Sequence, residues 1–98
     1  MFVHSVYFWL KPELTTEERA AFTREIQALR EISTVRACFI GPPAASDKPV
    51  IDGSYDYGLV LAFEDRAGEE AYLTHPLHRA FADKWRSRWT VKIYDCEE

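Results

Sequence analysis

The first nine residues after Met1 alternate between two sets of side chains, and both sets are rich in apolar and aromatic residues. A period of two is typical of a β-strand, and a strand that is apolar on both sides is expected to be covered on both sides. We therefore predict a strand from Phe2 to Leu10 that lies between two layers of the fold.

The next segment predicts a helix that packs on a sheet. Lys11-Pro12 ends the strand, and Thr15 followed by Glu18 three residues later is a capping-box signal for a helix reaching about Glu31. Apolar residues recur at helical spacing and form one stripe. They are Phe22, Ile26, Leu29 and Ile32.

Two further strands are predicted, from Val35 to Ile40 and from Tyr55 to Glu64, by their β-branched and aromatic content. Residues 41–54 between them contain three prolines and two glycines without periodicity, which predicts a long loop. It is either a lid over a site or a tolerated surface excursion.

A second helix is predicted to begin near Ala67 and to break at His75, because the residue before Pro76 disfavours the α conformation. Pro76 suits the first turn of a new helix. An apolar stripe then continues at helical spacing through Leu77, Phe81, Trp85 and Trp89. A final strand is predicted from Val91 to Asp95.

The order β-α-β-β-α-β predicts an α+β fold with a ferredoxin-like subunit and a four-stranded antiparallel sheet, forming one domain over residues 1–98. Two helices cover only one face of such a sheet. Since the first strand is apolar on both faces, we expect a second copy of the chain to cover the other face. A homodimer in which two sheets form a barrel is the resulting expectation.

Composition narrows the classes of partner. Sixteen acidic and twelve basic residues give a net charge of −4, which argues against nucleic acid as a partner. No segment is apolar enough to span a membrane. The N-terminus has no leader pattern, and Cys38 and Cys96 match no zinc or redox spacing, so we expect a cytoplasmic protein with reduced thiols.

Candidate chemistry is concentrated in three histidines and one tyrosine. His4 lies on the first strand, and Tyr72, His75 and His78 lie around the helix break. A neutral imidazole beside a phenol hydroxyl can act as an acid-base pair on a developing enolate. The alternatives are a hydrogen-bonded core histidine for His4, a helix cap for His75 and a core aromatic for Tyr72. A three-histidine zinc site lacks an Asp or Glu ligand motif, so no metal is expected.

Three segments also resemble the stress-responsive dimeric α/β-barrel family: residues 4–11 (HSVYFWLK), 55–64 (YDYGLVLAFE) and 72–78 (YLTHPLH). The tyrosine followed by His-Pro-x-His is the most specific part. The resemblance covers nearly the whole chain. It implies a ferredoxin-like subunit, a homodimeric barrel and no organic cofactor.

Within that family the chain is similar to polyketide cyclases of the olivetolic-acid type, which use the second histidine of the motif as a base. The resemblance implies His78 as the catalytic base, Tyr72 as its catalytic partner and His4 on the pocket wall. Tyr57 replaces a histidine of those cyclases, and Ile26 replaces an aromatic residue. The substrate-binding candidates are therefore His4, Tyr57, Leu59, Leu73, His75, Phe81 and Trp89.

Three functions remain open at this point. The first is a cofactor-independent lyase or cyclase that acts on a small apolar, polyketide-like carbonyl compound. The second is a non-catalytic, stress-associated dimer that holds a small hydrophobic ligand or is filled by its own side chains. The third is a cofactor-free monooxygenase or haem-handling protein, which no residue of the chain singles out. Whether the protein is an enzyme is left undecided by the sequence.

Overall fold

The computed structural model describes all residues from Met1 to Glu98. Four strands form one antiparallel sheet in the order β2-β3-β1-β4. The α+β class and the ferredoxin-like order β-α-β-β-α-β are confirmed. In chain order the elements are β1 (Phe2–Leu10), α1 (Thr16–Gln27), β2 (Ala37–Gly41), β3 (Tyr57–Phe63), α2 (Arg66–Thr74), α3 (Pro76–Trp85) and β4 (Trp89–Glu97).

Strand β1 lies in the interior of the sheet, with β3 on one side and β4 on the other. Its even-numbered residues are buried against the helices and its odd-numbered residues are half-buried on the opposite face. The predicted strand from Phe2 to Leu10 is confirmed in its bounds. Both faces of β1 are apolar, but the helices cover only the face that carries its even-numbered residues.

Helix α1 begins with the predicted capping box. The Glu18 amide donates to Thr15 Oγ1 at 3.1 Å, and the Thr15 amide donates to Glu18 Oε1 at 2.9 Å. The α-helix ends at Gln27, and a 3₁₀ turn over Ala28–Glu31 replaces the last predicted turn. The predicted apolar stripe is buried throughout, at Phe22, Ile26, Leu29 and Ile32.

The predicted break between the second and third helices is confirmed at His75, whose ψ of 139° is extended. Trp89, predicted to continue the helical stripe, instead begins β4, because helix α3 ends at Trp85. Strand β4 is also longer than the predicted 91–95. It pairs with β1 along its whole length, from Trp89 opposite Leu10 to Glu97 opposite Phe2.

The sheet face opposite the helices is only partly covered by the segment 42–56. Trp9 Nε1 donates to Ser54 Oγ at 3.2 Å, and the rings of Tyr7 and Tyr55 meet at 4.9 Å. A Cβ at Gly58 would lie 3.3 Å from the Tyr7 ring, so glycine leaves room for these aromatic rings. Large apolar side chains on the two edge strands stay exposed on this face, namely Phe39 at 70% and Tyr94 at 62%.

None of the helices combines the length and the apolar character that a membrane span requires. Both cysteines are free: Cys38 is half-buried and Cys96 is exposed.

The core centres on Phe22, which is completely buried and whose ring lies near those of Phe8, Phe81 and Trp85. We expect Phe22→Ala to lower the free energy of unfolding by about 3–5 kcal/mol, because the cavity left behind cannot collapse fully. Urea denaturation followed by circular dichroism measures this change. The control is Val50→Ala at a residue that is 91% exposed, where we expect less than about 0.5 kcal/mol. Similar midpoints for the two variants would contradict the assignment of the core.

Candidate functional site

A cavity of about 150 Å³ lies between the sheet and the helices. Eleven of its thirteen lining residues are hydrophobic, and the lining residues include two histidines and one tyrosine. Ile93 lines the cavity and is 51% exposed, so the cavity reaches the surface beside β4. The lining consists of His4, Val6, Phe8, Leu29, Leu59, Tyr72, Leu73, His78, Phe81, Ala82, Trp89, Val91 and Ile93.

His78 stands in the first turn of α3 with its ring tautomer fixed by one hydrogen bond. Its Nδ1 lies 3.1 Å from the Leu73 carbonyl oxygen. A carbonyl can only accept, so Nδ1 carries the hydrogen and Nε2 presents a lone pair. Burial lowers the pKa of His78, and the hydrogen bond to Leu73 offsets part of that effect. The ring is therefore a neutral base at neutral pH.

Tyr72 is 1% exposed, and its ring centroid lies 4.8 Å from that of His78. Burial raises the pKa of the phenol, so the hydroxyl keeps its proton and can donate. The Tyr72 hydroxyl makes no hydrogen bond within the chain. It is not fully enclosed, since Thr34 Oγ1 is the one fully enclosed side-chain polar atom without a partner. The hydroxyl therefore borders open space, and Tyr72 lines the cavity.

His4 forms the far side of this aromatic group, with its ring 6.1 Å from that of Tyr72. Its Nδ1 lies 2.6 Å from Asp95 Oδ1 and 3.4 Å from Glu69 Oε2. Asp95 is the cross-strand neighbour of His4 in the β1–β4 register. A carboxylate at 2.6 Å fixes the orientation of the imidazole at the cavity wall.

The model of the stress responsive A/B barrel domain matches residues 2–98 of the chain. The chain belongs to this family. The family resemblance expected from the sequence is confirmed.

Solved structures share the fold of this A/B barrel domain. A ferredoxin-like Dabb protein from Mesorhizobium loti is 27% identical, with a TM-score of 0.76 over 99% of this chain and 95% of its own. A dimeric ferredoxin-like protein of unknown function from Thermobifida fusca is 19% identical, with a TM-score of 0.78 over 99% and 90%. A hydroxynitrile lyase from Passiflora edulis is 17% identical, with a TM-score of 0.73 over 99% and 94%. No curated protein matches the chain.

Seven of the nine candidate residues named from the sequence line the cavity of this A/B barrel domain. The structure places the other two elsewhere. His75 Nδ1 accepts from the Leu77 amide at 3.1 Å and so caps α3. The Tyr57 hydroxyl is hydrogen-bonded to Thr23 Oγ1 at 3.2 Å on the α1 side of the core. The roles of the seven remain predictions. They are His4, Leu59, Leu73, Tyr72, His78, Phe81 and Trp89.

Sequence reasoning missed the two carboxylates beside His4. Glu69 precedes Tyr72 by three residues on α2, so helical spacing could have placed both on one face. Asp95 offered no such signal, because its position depends on the register between β1 and β4. Residues 41–54 are also placed away from the cavity: none of them lines it, so the lid interpretation has no support from this geometry.

Burial gives His78 a measurable signature. We expect its ring resonances to titrate below the ordinary histidine value of 6.5, because the buried cavity disfavours the imidazolium. NMR titration of the ring protons measures this, and the spectrum of His78→Gln assigns the resonance. A His78 midpoint above 6.5 would contradict the description of this residue as a neutral base.

The same pKa shift has a consequence for stability. Because the pKa of His78 is lower in the folded state, the native state binds fewer protons than the unfolded state at acidic pH. The contribution of His78 to the free energy of unfolding is therefore complete above pH 6.5. It is lost as the pH falls through the folded pKa. The stability of His78→Gln should therefore fall less steeply than that of the wild type on the acid side of pH 6.5.

Proposed function

We propose that this protein is a lyase or cyclase that acts on a small apolar carbonyl compound by acid-base chemistry of its own side chains. The observation that carries the proposal is the hydrogen bond from His78 Nδ1 to the Leu73 carbonyl, 3.1 Å long. It leaves Nε2 as a base inside an apolar cavity. A protonated phenol, Tyr72, stands beside it with its ring 4.8 Å away.

The cavity limits the size of the substrate. About 150 Å³ of apolar space accommodates a benzene-sized molecule, so we propose a one-ring or short-chain carbonyl compound. Two imidazoles and one hydroxyl are too few polar groups to compensate a highly charged ligand. The polyketide-like compound suggested by the sequence therefore has to be a small member of that class.

The proposed step begins when His78 Nε2 removes the proton from the carbon next to the carbonyl group. The electron pair of that C–H bond forms an enolate, and the Tyr72 hydroxyl donates a hydrogen bond to its oxygen. The enolate carbon then forms a bond to a second carbonyl carbon. The resulting alkoxide takes back the proton from the His78 imidazolium. Reversal of these steps cleaves a carbon–carbon bond, which is lyase chemistry.

The fold accommodates such chemistry, since a hydroxynitrile lyase has the same fold. A non-catalytic ligand-binding role is the alternative. It requires the same cavity but no base, whereas His78 and Tyr72 both lie on the cavity wall.

We also propose that the protein acts in the cytoplasm, where free Cys38 and Cys96 stay reduced.

Substitution at His78 tests the enzymatic proposal. We expect His78→Gln to lower kcat/KM for a small aldehyde or ketone with a hydrogen on the carbon next to the carbonyl by about 10²–10⁴-fold, because a general base contributes that much. Tyr72→Phe should lower kcat by about 10²–10³-fold through loss of the oxyanion donor. The wild-type kcat/KM should fall on the acid side at a pH below 6.5.

Tyr57→Phe is the matched control for Tyr72→Phe, because it removes a hydroxyl that lies outside the cavity and should leave turnover unchanged. Small ligands that raise the melting temperature of the wild type without any turnover would favour the non-catalytic role. Full turnover by His78→Gln would overturn the assignment of the base.

We further propose that the protein is a homodimer whose second copy covers the open sheet face. Two observations support this: the exposed Phe39 and Tyr94 on that face, and the fold neighbour from Thermobifida fusca, which is dimeric. Burial of exposed apolar surface is the driving force. By burying this surface in a dimer, a small domain gains stability that its own core cannot supply.

Light scattering at micromolar concentration should give the mass of two chains, that is, twice 11.4 kDa. We expect Tyr94→Glu to shift the mass toward one chain, because a charge would be buried between the sheets. Leu77→Glu is the control, since Leu77 is 43% exposed on α3, away from the sheet face. If the wild type is a monomer at this concentration, the proposal that a second copy covers the open sheet face is wrong.

A further inference from the structure

Three side chains meet at one end of the cavity on three different elements. His4 lies on β1, Glu69 on α2 and Asp95 on β4. The imidazole nitrogen and one oxygen from each carboxylate all lie within 4.8 Å of one another. The acid-base pair proposed above does not use either carboxylate.

The hydrogen-bonding capacity of this cluster is unbalanced. His4 Nδ1 has at most one hydrogen, and Asp95 takes it at 2.6 Å. The Glu69 carboxylate lies 3.4 Å from the same nitrogen, long for a charge-assisted hydrogen bond of about 2.7–2.9 Å. Glu69 is 6% exposed, and its carboxylate has no hydrogen-bond donor elsewhere in the chain. Its neighbour Arg66 is bound to Glu97 at 2.8 Å.

One buried carboxylate, Glu69, and one exposed carboxylate, Asp95, face a single imidazole nitrogen, which can donate only one hydrogen bond to the two of them. The Glu69 carboxylate is buried without a hydrogen bond of ordinary charge-assisted length, which disfavours its charged form where it stands. A proton on Glu69 relieves the imbalance in part. A divalent cation between the three groups relieves it fully and also satisfies the remaining lone pairs.

We propose that His4, Glu69 and Asp95 form a binding site for a divalent transition-metal ion. One imidazole nitrogen with two carboxylate oxygens suits zinc, manganese or iron better than magnesium or calcium, which prefer oxygen alone. Ligand bonds of about 2.0–2.2 Å require the three atoms to lie about 3–3.5 Å apart. The 3.4 Å between His4 and Glu69 lies within that range, whereas the 2.6 Å between His4 and Asp95 is shorter, so Asp95 has to move outward when an ion binds.

The arrangement also provides a route of entry and room for adjustment. The Asp95 side chain is 40% exposed, so it can turn by the few tenths of an ångström that an ion needs and can exchange with solvent. The other two ligands are held in place by burial, at 4% exposure for His4 and 6% for Glu69. A bound ion would connect two strands and a helix, and so stabilise the folded chain.

Zinc binding to the full chain tests the proposal, with the thiols kept reduced. Isothermal titration with Zn²⁺ should give one saturable site per chain at micromolar concentration, and the melting temperature should rise with Zn²⁺. We expect Glu69→Gln and Asp95→Asn each to weaken the affinity by more than about tenfold, because each removes one charged ligand. Circular dichroism of both variants establishes that they remain folded.

His75→Gln and Cys96→Ser are the matched controls, because they remove other metal-binding side chains that lie outside the cluster. Both should keep the wild-type affinity for Zn²⁺. The proposal is overturned if no saturable binding occurs up to about 100 µM Zn²⁺. It is also overturned if a control variant abolishes binding, or if Mg²⁺ binds more tightly than Zn²⁺. Turnover by His78 does not enter these measurements, so they test this site alone.

Discussion

Pro76 has no amide hydrogen, and its ring disfavours the α conformation at His75. The proposed site depends on this one backbone constraint. In a continuous helix Tyr72 and His78, six residues apart, would point about 120° away from each other. The interruption instead brings their rings to 4.8 Å. It also frees the Leu73 carbonyl, which would otherwise accept from the Leu77 amide. His75 takes that amide, and His78 donates to the carbonyl.

The two faces of the sheet have different roles because β1 is apolar on both. The helix face carries the core around Phe22 and leaves a cavity where α2 and α3 diverge from the sheet. The other face carries aromatic side chains that one chain covers only in part, with Tyr94 exposed. A small domain can therefore keep an internal cavity if a second copy supplies the missing burial.

The two histidines on the cavity wall have different electrostatic environments. His78 faces a backbone carbonyl and apolar walls, and burial lowers its pKa. His4 faces two carboxylates, Glu69 and Asp95. The first environment favours a neutral imidazole, while the second orients the ring through a short hydrogen bond to a carboxylate. The two histidines that line one cavity therefore differ in their hydrogen-bond partners, a backbone carbonyl for His78 and a carboxylate for His4.

Local signals in the sequence determined most elements of this protein. Alternation fixed the bounds of β1, the Thr15–Glu18 pair fixed the start of α1, and Pro76 fixed the helix break. Strand β4 was underestimated because its last residues are polar, and only pairing with β1 makes them a strand.

For the candidate site as well, some residues could be found from the sequence, while other contacts depend on the tertiary structure. Tyr72 and His78 were found from a short motif whose geometry is local. The cap by His75 is likewise local and was one of the alternatives from the sequence. Tertiary structure alone decided that Asp95 meets His4 across two strands and that Tyr57 turns toward Thr23. Those outcomes depend on strand register and on competition for hydrogen bonds between distant segments, and neither is encoded in the pattern of any one segment.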